Sequence, residues 1–91
     1  MGTIAARKCR DVVENTLNVV AIELLCAAQA LDLFTNLKPG SGTLAAYNLI
    51  RQSIPHLDSD RILSADIAAM RTLMEADRLL AVVENAVGPL Q

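Results

Sequence analysis

The sequence predicts an all-α chain: a long N-terminal helix followed by two or three shorter helices, packed as a helical bundle. Three observations predict it. Residues 3–34 contain neither Gly nor Pro and are rich in Ala and Leu, both strong helix formers. Hydrophobic residues make up 53% of the chain, yet Phe34 and Tyr47 are its only aromatics. Ala, Leu and Val therefore supply an apolar content suited to close helix packing rather than to a sheet core. Finally, "NLKPGSGT" (36–43) is a turn-forming break, and the segments after it return to helical periodicity. Ninety-one residues suffice for one small domain with a modest core.

The first helix is expected over about residues 3–34. At about 100° per residue, Arg7, Asp11, Glu14, Asn18, Gln29 and Asp32 fall on one stripe. Between Asn18 and Gln29 that stripe is filled by Ala21, Ile22 and Leu25, so the polar face closes over. A helix apolar all round is expected to be buried all round. Its core, "VVAIELLCAAQALDLF" (19–34), admits three readings: a membrane span, a buried central helix or an oligomer interface. The most apolar run, Val19 to Leu31, is interrupted by Glu23 and Gln29 and is shorter than the ~20 residues of a span, which argues against a membrane. Thirty-two helical residues reach about 48 Å, whereas a compact globule of this size is about 30 Å across. Partner chains or further sequence must cover the rod. Self-association is expected through Val13, Leu17, Val20, Leu24 and Leu31.

A linker is expected over 35–42 and a helical tail over 43–88. The second helix, "TLAAYNLIRQSI", takes Ser41 or Thr43 as its cap and stops at Pro55. "PHLDSDRIL" is a loop. Ser64 caps the third helix, "ADIAAMRTLMEA", with Asp66 in its first turn. Asp77 is placed to cap a fourth, "RLLAVVENAV", closed by Gly88 and Pro89. Whether the third and fourth are continuous is left open, because the phase of Ile67, Met70 and Met74 slips near Asp77.

Eight basic against ten acidic residues give a net charge of -2, and no aromatics interleave with basic residues, so no nucleic-acid partner is expected. Cys9 and Cys26 on one straight helix lie about 25 Å apart, far beyond disulfide reach. No bridge is expected, a cytoplasmic location fits, and "MGTIAARKCRDVVEN" lacks the apolar core of a secretory signal.

The search for chemistry is negative. Glu23, opposite the polar stripe, is expected to be buried and paired with an Arg from a neighbouring helix or subunit. Gln29 is read as a stripe residue and His56 as a solvent-exposed loop histidine. "DSD" (58–60) begins like a calcium loop but lacks its Gly at position six and Glu at position twelve; one of these acids is expected to pair with Arg61. "PGSG" follows a helix rather than a strand and is no phosphate cradle. Cys9 and Cys26 have no clustered His or Cys for a metal and are expected to be buried small hydrophobes. No residue is assigned a catalytic, cofactor-binding or metal-binding role.

"MGTIAARK", "VVAIELLCAAQALDL", "DSDRILSADI" and "VENAVGPL" resemble, in order and spacing, the C-terminal end of the aromatic amino-acid ammonia-lyases and aminomutases. The resemblance covers essentially the whole chain, and the stretch Asp60 to Ile67 points to the histidine branch. Phe34 departs from the pattern, which carries Arg after "LDL". The resemblance implies a homotetramer built on long helices and an electrophilic methylidene-imidazolone made from an internal Ala-Ser-Gly. That tripeptide is absent; the nearest strings are Gly40-Ser41-Gly42 and Ser64-Ala65-Asp66. The family's active-site residues lie upstream, the last of them a Glu just before the position of Met1. A structural and oligomerisation segment is thus implied, inactive alone, of an enzyme that deaminates L-histidine to urocanate and ammonia. Its partners would be further copies or the N-terminal part of the lyase. The alternative is a free-standing helical oligomerisation or protein-interaction module.

Overall fold

A computed structural model describes residues 2–34, 36 and 38–90. The described residues form four helices and no strand: α1 (Gly2–Leu33), α2 (Ser41–Ser53), α3 (Leu63–Glu75) and α4 (Arg78–Val87). The chain folds back after α1, so that α3 packs along α1, α2 packs on α4, and α3 also touches α2 and α4. The result is elongated, 54 × 37 × 18 Å with a radius of gyration of 15.4 Å, against roughly 12 Å for a compact domain of this length.

A small core explains the arrangement. Ala21 and Ala28 of α1 meet Leu49 and Ile50 of α2, Ile54 just beyond it, and Met70 and Leu73 of α3. Ala21 and Ala28 stand two turns apart on one face, and their short side chains let α3 come close. Arg71 holds α3 to α1 by an ion pair to Glu14 at 2.8 Å and a hydrogen bond to Asn18 at 3.2 Å.

Several boundaries differ from the sequence reading. The α2 helix begins at Ser41, inside the expected linker, with Gly40 at its N-cap and no side-chain cap; neither Ser41 nor Thr43 serves. Thr35 and Leu37 of that linker lie outside the described residues. The α3 helix begins at Leu63 rather than after Ser64, its N-cap being Ile62. Asp77 holds the N-cap position of α4 but in the left-handed region (φ 56°), with no cap hydrogen bond from its side chain. That reversal separates α3 from α4 and accounts for the phase slip. Two stop signals act as read. Ile54, before Pro55, is extended, since a proline forces its predecessor out of the helical region. Gly88 (φ 91°) donates its N–H to the Glu84 carbonyl.

The largest difference concerns which side of α1 is covered. Only Ala21 and Ala28 of α1 are buried, so the helix is not enclosed all round. Its polar stripe is not the outer face either: Glu14, Asn18, Gln29 and Asp32 all bind groups from the later helices and loop. The apolar flank opposite remains open, with Val12 63%, Val13 51% and Val19 53% exposed. Leu24, expected at a self-association face, packs against the chain's own core instead. As one unbroken helix, α1 is long and apolar enough to cross a membrane, so the shortness of Val19–Leu31 does not by itself exclude one.

Candidate functional site: a polar knot where α1, α2 and the following loop meet

Asp32 lies in the last turn of α1, where a carboxylate faces the negative end of the helix dipole and needs cationic or hydrogen-bonding partners. Three side chains supply them. Arg51 Nη2 donates to Asp32 Oδ2 at 2.6 Å, His56 Nδ1 lies 2.6 Å from the same oxygen, and the Tyr47 hydroxyl donates to Oδ1. Tyr47 and Arg51 are one turn apart on α2 and so share a face; the guanidinium stacks over the Tyr47 ring at 5.6 Å. Burial pushes the Asp32 carboxyl up. The hydrogen bonds from Tyr47, His56 and Arg51, with the Arg51 charge, outweigh that and hold it below the usual carboxylate value.

One turn before Asp32, Gln29 grips the loop backbone. Its Oε1 accepts the Leu57 N–H at 3.2 Å and its Nε2 donates to the Leu57 carbonyl at 3.0 Å. Arg51 adds bonds to the Ile54 carbonyl (3.1 Å) and Gln29 Oε1 (3.4 Å), leaving its Nε buried without a partner among the described residues. From the other side, Arg61 donates to the carbonyls of Pro55 (2.7 Å) and His56 (3.1 Å) and pairs with Asp66 (2.9 Å). A groove of about 160 Å³ runs alongside, walled mainly by Ile22, Leu25, Cys26, Ile54, Leu63 and Ile67.

His56 against Asp32 has the form of an oriented base, but its Nε2 meets Gln29 Nε2 at 3.4 Å and Asp58 at 3.5 Å, neither a nucleophile. Among the described residues no group of three His, Cys, Asp or Glu side chains is placed to hold a metal.

Several sequence expectations are corrected here. His56 is not a free loop residue; it is half-buried and joined to α1. Gln29 lies on the polar stripe, as read, and there binds the loop backbone at Leu57. Arg61 pairs with Asp66, not with Asp58 or Asp60, because its side chain reaches forward to the first turn of α3. Glu23 is exposed within this chain, on the opposite side of α1 from Ala21 and Ala28. Cys9 and Cys26 are free, as expected, but exposed rather than buried. The knot had a sequence signal: Gln29 and Asp32 three apart, Tyr47 and Arg51 four apart, and a lone His beside Pro55. Only the fold brings these three short patterns together.

Comparison with known proteins gives a consistent set of matches. The family model for aromatic amino acid lyase matches residues 1–52. A histidine ammonia-lyase of Natranaerobius thermophilus is 48% identical over 91 residues, covering 100% of this chain and 18% of that protein. One from Gloeobacter violaceus is 51% identical over 90 residues, covering 99% of this chain and 18% of that protein. One from Myxococcus xanthus is 50% identical over 86 residues, covering 94% and 17%. The chain thus spans less than a fifth of the length of these curated relatives. No solved structure matches it.

Proposed function

This chain belongs to the aromatic amino acid lyase family, and from that premise we propose that it is the C-terminal helical segment of a histidine ammonia-lyase assembly. Its task is to supply bundle helices and subunit contacts. The complete enzyme would deaminate L-histidine to urocanate and ammonia; the segment alone is catalytically silent.

One observation carries this reading. The α1 helix spends its polar stripe on its own chain and leaves its apolar flank uncovered. Fully burying one Val or Ile side chain stabilises by about 1.5–3 kcal/mol, so several on one helix face form a strong drive to be covered. Protein, rather than lipid, is the cover that fits: Glu23 lies on that flank, and a charge costs at least about 2.5 kcal/mol at the centre of a membrane helix. Exposed, unbridged Cys9 and Cys26 suit a reducing cytoplasm.

The family's methylidene-imidazolone does not fit these residues. Its precursor is an Ala-Ser-Gly, whereas Gly40-Ser41-Gly42 opens α2 and Ser64-Ala65-Asp66 lies in the first turn of α3. No catalytic step is derived through that group.

Reconstitution tests the reading. Urocanate absorbance is followed for this chain alone and for this chain co-expressed with the Gloeobacter violaceus enzyme lacking its matching segment. Turnover is expected only in the second case. Turnover by the chain alone, or none in the reconstituted pair, would overturn it.

A further inference from the structure

The open flank of α1 has a pattern that matches itself in reverse. About the midpoint between Asn15 and Thr16, Val12 and Val19 are equidistant, as are Lys8 and Glu23, and Ala5 and Cys26. At about 100° per residue these eight positions fall within one stripe about 100° wide. All eight are exposed and lie on the side of α1 away from Ala21 and Ala28, with Cys26 at the stripe's edge, where it also walls the groove beside α3.

We infer that this stripe is a docking surface for a second copy of the chain, with the two α1 helices antiparallel and crossing at the Asn15–Thr16 midpoint. This rests on the reading above that protein covers the flank, and goes on to name the occupant and the register. In that register each Val12 faces Val19 of the other copy. Lys8 faces Glu23 at both ends, so a pair of opposite charges lies on each side of the crossing. Ala5 meets Cys26, small against small, which lets the axes approach to about 8–10 Å. Asn15 and Thr16 meet at the centre, where a polar pair specifies register at some cost in stability. Charge complementarity selects this arrangement over a parallel one, in which Lys8 would face Lys8 and Glu23 would face Glu23. It also assigns Glu23, which has no hydrogen-bond or ion-pair partner among the described residues, its cation.

Charge reversal with rescue tests the register, read as the dissociation midpoint from light scattering across a concentration series. Lys8→Glu and Glu23→Lys are each expected to weaken association about tenfold or more, since each places like charges together at two points. The double variant Lys8→Glu/Glu23→Lys should restore association to within about threefold. Lys8 and Glu23 are exposed in the single chain, so helicity by circular dichroism at low concentration should be unchanged in all three. A monomeric wild-type chain would overturn the second-copy assignment. Associating chains whose midpoint ignores both single reversals, or a double variant no better than the singles, would overturn the register. The reconstitution assay is independent of all these outcomes.

Discussion

Arg51 and Asp32 meet at 2.6 Å with 16% and 15% of their side chains exposed, tying the middle of α2 to the last turn of α1. This pair fixes how α1 is oriented. With Arg71 on Glu14 farther along, it turns the polar stripe of α1 inward and leaves the apolar flank outside.

Asp32→Ala removes the acceptor shared by Arg51, His56 and Tyr47. Breaking a buried pair costs about 3–5 kcal/mol, and the residual exposure puts this one near 3. Urea unfolding at fixed chain concentration measures it. A change within about 0.5 kcal/mol, the range of ordinary surface substitutions, would mean that the knot does not hold the helices.

Acid should loosen the same knot. The folded-state carboxyl of Asp32 lies below its usual value, so its contribution is complete above the unfolded value of about 3.9. It is lost as pH falls from there through the lower folded value. Asp32→Asn should therefore show a shallower loss of stability below about pH 4 than the parent chain. Parallel loss in the two proteins would contradict this.

At Gly42, α2 lies close against Val83 and Val87 of α4. A Cβ there would lie 3.3 Å from Val83 Cγ1 and 3.4 Å from Val87 Cγ1. Ala requires a shift of only a few tenths of an ångström, so Gly42→Ala should be nearly neutral. Gly42→Val adds two methyls with no room and should cost about 1–3 kcal/mol. Hydrogen exchange should place the loss in α4. Unchanged α4 protection in Gly42→Val would show that the two helices are not in close contact.

Glu23 separates the chain from its assembly. Exposed in the single chain, it should tolerate Ala within about 0.5 kcal/mol when dilute. Once covered, the same substitution should weaken association. An equal effect at both concentrations would place Glu23 in solvent throughout.

The helices were legible in the sequence because their signals are local: no Gly or Pro in α1 beyond Gly2, Pro55 after α2, and Gly88 after α4. Asp77 stands at the N-cap of α4 as read, though without a side-chain bond, while Ser41, Thr43 and Ser64 do not cap, because composition does not say which backbone bends where. The knot was illegible for a deeper reason. A polar stripe on a helix reads as a solvated face, and nothing local reveals that Arg51, Arg71 and His56 will arrive to cover it. Exposed Cys9 and Cys26 follow from the same inversion. The length mismatch of α1 was read correctly, since it depends only on rise per residue and chain size.

The central claim is that a second copy of the chain closes the outward flank of α1. Light scattering of the purified 91-residue chain at micromolar concentration tests it most directly. The account predicts a mass of at least twice the 9.7 kDa of one chain, falling toward one chain on dilution. A monodisperse 9.7 kDa species with helical content intact at every concentration would contradict it.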